Sequence, residues 1–234
     1  MGKYNEEETI LEVKDLNVKF DNNYVLKNVS FYVKKGEILV IMGPNGSGKT
    51  TLLKAILGTI PYEGEIILRA KNIAFLPSQD ILKINNLIPL TVNEFFNLKT
   101  KSMKIILNML KDVGLKKNIL ERQISKLSTG EFQRMIIAWS MINHPTLLLF
   151  DEPTSGIDIG GKETIYSLLH RFWKRFNMTI LLITHDLSIV YEHATKVLCL
   201  NNRVCCYGEP KKAITPKTLA KLYGEKIKFY KHNH

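Results

Sequence analysis

Gly43-Pro44-Asn45-Gly46-Ser47-Gly48-Lys49-Thr50 lies directly behind an unbroken apolar run, ILVIM (38–42), and directly ahead of TLLKAILG. Five apolar residues without polar alternation read as a strand buried on both faces, as in a parallel sheet covered by helices. TLLKAILG reads as a helix ended by Gly58. The eight residues between them fit G-x-x-x-x-G-K-[ST], and strand–loop–helix is the context that pattern requires. Its glycines permit a tight loop whose successive N–H groups converge on an anion. The helix starting near Lys49 adds the positive end of its dipole. Lys49 is placed to reach the β- and γ-phosphates of a nucleotide, and the Thr50 hydroxyl to ligate Mg²⁺.

The rest of the chain alternates short β-rich runs with helical stretches, which argues for an α/β fold. Residues 10–20 alternate apolar and polar, Asp21-Asn22-Asn23 is a turn, and YVLKNVSFYV reads as a second strand. EGEIIL and NIAFLP are further strands. Between about 85 and 140 the periodicity becomes helical. Thr91 with Glu94 forms a capping box, Ile105, Ile106, Met109 and Leu110 make an amphipathic stripe, and EFQRMIIAWSMIN is an apolar-faced helix. TLLLFDEP and MTILLITHD read as buried strands on either side of the helix ETIYSLLHRFWKRF. KVLCLNNRVCCYG reads as a hairpin turning at Asn201-Asn202, and two lysine-rich helices follow. A single domain is expected over 10–223, with the helical block at 85–140 as an insertion and 224–234 as a basic tail.

Composition narrows the class. Of 234 residues 45% are hydrophobic and 24% charged, which excludes a disordered chain. No apolar run approaches the roughly 18–20 residues that cross a bilayer, and the acidic, polar start MGKYNEEETI predicts no secretory leader. Cys199, Cys205 and Cys206 fit neither a disulfide framework nor a zinc spacing, so all three are expected to be reduced, mostly buried thiols. The net charge of +11 resides in two blocks, 99–126 and 211–234. Such blocks suit nucleic acid, an anionic membrane or an acidic partner, and equally a solvated lysine face. No aromatics interleave with them as a base-stacking platform requires, so no nucleic-acid partner is expected.

Leu147–Glu152 supplies a second chemical element. Four apolar residues build a strand that ends in Asp151, a carboxylate able to hold Mg²⁺ directly or through water. Glu152 follows, placed to orient and polarise an attacking water. Between the two elements stands Leu127-Ser128-Thr129-Gly130-Glu131-Phe132-Gln133-Arg134. Read alone, it is a capping box of Ser128 and Glu131 opening a helix. A helix start carrying Ser and Gly N–H groups is also a phosphate site.

The order of these three elements, 43–50, L-S-x-G-E-x-Q-R and the Asp-Glu strand, resembles the ATP-binding cassette of ABC transporters over about residues 10–223. The resemblance implies a P-loop NTPase (RecA-like) core with an N-terminal antiparallel β-subdomain and an inserted α-helical subdomain. It implies an Mg²⁺-dependent ATPase with ATP and Mg²⁺ as cofactors. Gly43 to Thr50 and Thr51 would hold the phosphates, with Lys49, Glu152 and His185 catalytic. Ser128, Thr129, Gly130 and Glu131 would hold the ATP of a partner cassette. Phe20 falls where the family stacks an aromatic on adenine; Tyr24 is the runner-up, and a buried strand aromatic is the plain alternative for Phe20. Gln79 resembles the glutamine that senses Mg²⁺ and water, although Ser78 stands where that glutamine usually follows Pro77. With Thr50 and Asp151, Gln79 completes the metal set. Asp158, in Ser155-Gly156-Ile157-Asp158, resembles the loop that crosses the dimer seam, and His185 the switch histidine at the γ-phosphate. Trp139 replaces an Arg common in the helix after Ser128, a change of packing rather than chemistry.

The implied partners are a second cassette, paired head to tail when ATP binds, a polytopic membrane permease, and a solute-binding protein outside the membrane. The implied location is cytoplasmic, on the inner face of the membrane. The segment from Val190 to Gly224 and Pro89-Leu90-Thr91-Val92 resemble the branch serving zinc, manganese or iron import. An exporter, an importer of another solute, and a soluble cassette acting on ribosomes or nucleic acid remain alternatives. His232 and His234 make too small a set to argue for a metal site.

Overall fold

The computed structural model describes residues 8–78, 89–152 and 159–224, and for 159–164 the backbone alone. Gln79 and Asp158 lie outside them. The chain divides into two compact units, one built from residues up to 70 together with 179 onward, the other from 71–178.

The first unit opens with β1 (Thr9–Phe20) and β2 (Asn23–Lys34), an antiparallel pair joined by β4 (Glu63–Leu68) on the other edge of β1. Alternation sets the register: Val13 faces Phe31 and Ile66, and Leu16 faces Val29. Ile10, Leu11, Val13, Leu16 and Val18 are all buried. A bulge falls at Asp15, whose φ is 49°. Ser30 Oγ satisfies it by accepting from Asp15 N at 2.8 Å and donating to its carboxylate at 3.2 Å.

The second sheet region of this unit centres on β3 (Ile38–Met42), buried at every residue. It pairs in parallel with β7 (Thr179–Ile183) on one side and β8 (Lys196–Asn201) on the other. Such two-sided burial accounts for the uninterrupted apolar run, and removes about 1.5–3 kcal/mol of apolar side-chain exposure per large residue. Helix α1 (Lys49–Ile56) follows β3, with Gly58 at φ 67° beyond its end.

β8 turns at Asn202 into β9 (Arg203–Gly208), an antiparallel hairpin. Its register places Cys199 opposite Cys206, 4.8 Å apart at Cα, and the two are joined in a disulfide. The expectation of three thiols is corrected: only Cys205 is free, and it is half-buried. Spacing along the chain does not reveal a cross-strand pair, which the hairpin creates. Tyr207, beside them, donates its hydroxyl to Tyr32 O. Burial pushes its pKa up to about 12. Burial also opposes charge on Lys196, but the Glu37 carboxylate at 3.1 Å and the Tyr207 hydroxyl together outweigh it and leave that ammonium above its usual range. Between β7 and β8 lies α6 (Leu187–His193); α7 (Pro210–Ala213) and α8 (Pro216–Tyr223) end the unit.

The second unit pairs β5 (Ile73–Leu76) in parallel with β6 (Leu147–Asp151). Around this pair stand α2 (Val92–Asn97), α3 (Met103–Asp112), α4 (Thr129–Met141) and α5 (Ile159–Phe176). The Thr91–Glu94 capping box is present at the start of α2. In α3 the stripe of Ile106, Met109 and Leu110 is buried, but Ile105 is exposed, since it sits about 100° off that face. Trp139 packs as its replacement of Arg suggested. Its ring lies 4.9 Å from Phe95, its Nε1 donates to Phe95 O at 3.2 Å, and Lys99 Nζ caps the ring at 3.7 Å. Lys99 also donates to Trp139 O, and burial lowers its pKa. Among the described residues no helix is long and apolar enough to cross a membrane.

Candidate functional site

In the first unit two loops leave the same edge of the parallel strands. Ile41 of β3 pairs with Ile183 of β7, so the loop opening at Gly43 and the segment Thr184-His185 emerge side by side at the carboxyl ends. That edge is where open α/β sheets bind ligands.

The loop 43–50 is built without side-chain bulk at its crowded points. A Cβ on Gly43 would stand 2.0 Å from Leu200 O and 2.6 Å from Ser47 Oγ. Gly48, the N-cap of α1, has φ 95°, and a Cβ there would meet Leu26 at 2.6 Å and Val25 O at 3.0 Å. Ser47 N closes a turn onto Pro44 O at 3.2 Å. Pro44 is half-buried, while Asn45 and Gly46 are exposed at the tip.

Lys49 is 6% exposed, and its Nζ donates to Gly43 O and Pro44 O, both at 2.9 Å. The ammonium therefore lies inside the loop, where an anion would be held. No acid occupies the first turn of α1, so its dipole end is not neutralised there. Thr50 and Thr51 follow in that turn, both half-buried.

His185 is exposed beyond β7; Asp186 beside it caps α6 by accepting from Ser188 N at 3.0 Å. Phe20 ends β1 with 47% of its surface exposed, so the alternative of a buried strand aromatic is corrected: Asp21 turns the chain and leaves the ring outside. Tyr24 is also exposed, and its ring is already flanked by Lys19 and Lys27 at 4.5 and 5.2 Å.

The second unit carries the other candidates. Asp151 ends β6 and is 3% exposed. Glu152, next to it, has φ 47°, a left-handed conformation that a glutamate adopts at a cost and that clusters at functional sites. Nothing in the sequence signals that conformation.

Ser128 caps α4 as expected: its Oγ accepts from Glu131 N at 3.2 Å, and Glu131 Oε2 accepts from Ser128 N at 2.9 Å. Arg122 adds an ion pair to Glu131 at 2.7 Å and donates to Lys126 O at 2.6 Å. The Ser128 N–H, with Arg122 in support, holds the Glu131 carboxyl below its usual range. Sequence reasoning missed Arg122, which lies nine residues before its partner with no periodic signal. Ser128 and Thr129 are exposed, and among the described residues a Cβ on Gly130 would meet no atom of another element within 4 Å.

Hydroxyl and carboxylate oxygens, as on Thr50 and Asp151, are the donors Mg²⁺ takes. Among the described residues no group of three or more His, Cys, Asp or Glu could hold a metal alone.

Residues 26–155 match the family model described as ABC transporter. The Zinc import ATP-binding protein ZnuC of Rickettsia prowazekii (strain Madrid E) is 38% identical over 229 residues, 96% of this chain and 97% of that protein. The protein of the same name from Wigglesworthia glossinidia brevipalpis is 36% identical over 233 residues, 97% of this chain and all of its own length. A solved ATP-binding cassette, dimeric and in a post-hydrolysis state with ADP and Pi, aligns with TM-score 0.72 and 28% identity over 86% of this chain and 98% of its own. A G-x-x-x-x-G-K-[ST] loop at a parallel-sheet edge and a match of this length leave one assignment: the chain belongs to the ABC transporter family, as an ATP-binding cassette.

Proposed function

We propose that this chain is the ATP-hydrolysing subunit of an importer for a divalent metal ion such as zinc. The observation that carries the reading is the loop 43–50, with Lys49 buried among its carbonyls, in a chain that aligns end to end with zinc-import cassettes. Gly43 to Thr51 bind the phosphates of ATP. Phe20 stacks on the adenine, and Glu152 orients the attacking water while His185 contacts the γ-phosphate. Thr50, Asp151 and Gln79 are the residues that would hold Mg²⁺, which would supply charge neutralisation at the phosphates.

The outward helix start at Ser128-Thr129-Gly130, with Glu131 holding its cap, serves the ATP of a second cassette paired head to tail. By its resemblance to the family, Asp158 serves that seam. A γ-phosphate bridging two chains makes binding close the dimer and hydrolysis release it. A permease in the membrane receives this motion. The second unit has a surface suited to receive a permease segment, a cavity of about 670 Å³ lined by Thr91, Asn93, Met103, Lys117, Leu120 and Glu121 among others. The chain then works from the inner membrane face, with a solute-binding protein delivering metal from outside.

The test is reconstitution of the chain with its permease in vesicles. ATP-dependent uptake of zinc, manganese or iron supports the reading. ATP hydrolysis with no metal uptake and stimulation by another solute would refute the metal assignment; no hydrolysis at all would refute the ATPase.

A further inference from the structure

We infer that Asn202, at the tip of the β8–β9 hairpin, is a positioning residue for the phosphate loop; this rests on the nucleotide-binding reading of 43–50. Asn202 lies far from that loop in sequence and belongs to none of the motifs above. It nevertheless hydrogen-bonds both the loop, at Ser47, and the strand β2 beside it, at Val25 and Lys27. Its backbone N–H donates to Ser47 O at 3.0 Å, and its side-chain Nδ2 donates to Val25 O at 2.9 Å. Its carbonyl accepts from Lys27 N at 2.8 Å.

The same Val25 carbonyl forms the floor under Gly48, 3.0 Å from where a Cβ would stand. The same hairpin supplies Leu200 O, 2.0 Å from the Cβ position on Gly43. Asn202 thus joins the strand beneath Gly48 to the backbone of Ser47, and its hairpin backs Gly43. These positions frame the N–H groups that must converge on the anion.

The residue type suits the task. Asn202 has φ 56°, a conformation that Asn tolerates better than other side chains. Its amide adds the bond to Val25 O, which Gly could not make. Ser47 is 1% exposed and its Oγ has no hydrogen-bond partner among the described residues. The loop residue next to Gly48 is therefore held chiefly through its backbone, and Asn202 N–H is one of its anchors. The disulfide between Cys199 and Cys206 closes the hairpin behind this tip.

The test uses the full chain and fluorescent mant-AMP and mant-ATP with Mg²⁺. Asn202→Gly keeps the positive φ, the N–H and the carbonyl, and removes only the amide bond to Val25 O. Asn202→Asp keeps the size and sets a carboxylate against that carbonyl. The affinity gain from mant-AMP to mant-ATP measures the phosphate cradle. It is expected to shrink about fivefold in Asn202→Gly, the loss of one hydrogen bond, and further in Asn202→Asp. A structural role alone would lower the melting temperature and leave this ratio untouched. An unchanged ratio in Asn202→Gly overturns the inference, whatever Asn202→Asp does. If the wild-type chain binds no mant-ATP, the nucleotide reading itself fails, and the wild-type titration shows that separately.

Discussion

Gly43→Ala is the sharpest test of how the phosphate loop is built. The φ of Gly43 lies outside the left-handed region, so backbone strain plays no part and the effect is steric. The added Cβ would sit 2.0 Å from Leu200 O, about 1.5 Å inside an ordinary contact of roughly 3.5 Å. Neither side can yield cheaply. Leu200 is fixed in a disulfide-closed hairpin, and Gly43 follows directly on the buried strand β3. Overpacking of this kind costs about 3 kcal/mol or more. Gly46→Ala provides the contrast: its Cβ meets nothing within 4 Å, and only its φ of 78° opposes the change. That costs about 1–2 kcal/mol. At about 2–4 °C per kcal/mol for a chain of this size, Gly43→Ala should melt at least ~6 °C below wild type and Gly46→Ala only ~2–8 °C below. Calorimetry gives the melting temperatures and mant-ATP titration the affinities; Gly43→Ala should also lose ATP binding. A Gly43→Ala protein that melts with wild type and binds ATP normally would refute the reasoning, because Leu200 O would then not be the wall.

Other substitutions separate chemistry from scaffold. Glu152→Gln should keep mant-ATP binding, lower turnover about a hundredfold or more, and elute as a dimer with ATP on gel filtration; wild-type turnover would remove Glu152 from the mechanism. Trp139→Ala should cost about 3 kcal/mol through lost packing on Phe95 and Lys99, read as a lower urea midpoint with ATP affinity unchanged. Glu131 has a depressed folded pKa, so its contribution is present above the unfolded carboxyl value near 4.5 and is lost as pH falls through the lower folded value. The difference in melting temperature between wild type and Glu131→Gln should therefore shrink below about pH 4.5, and a difference constant from pH 7 to 3 would contradict the bonding to Ser128 and Arg122.

What the sequence made legible was local. The strand at 38–42, the loop, both capping boxes and the hairpin at Asn201-Asn202 each follow from residues within a few positions of one another. The near misses have one cause. Cys199 meets Cys206 because the hairpin register brings them face to face. Arg122 reaches Glu131 only because a 3₁₀ segment folds the chain back before α4.

The same distinction runs through the phosphate loop. Its eight residues carry the pattern from which anion binding is proposed, and that much is readable in the sequence. The groups set against those residues are the carbonyls of Val25 and Leu200, which crowd Gly48 and Gly43, and the backbone of Asn202, which bonds Ser47; none of them carries a motif. Backbone carbonyls have no residue identity to read. A loop motif therefore specifies what is bound, while the rigidity with which it binds depends on strands and a hairpin that the motif does not mention. Substitutions in the hairpin should accordingly alter nucleotide affinity without touching any residue that contacts the nucleotide.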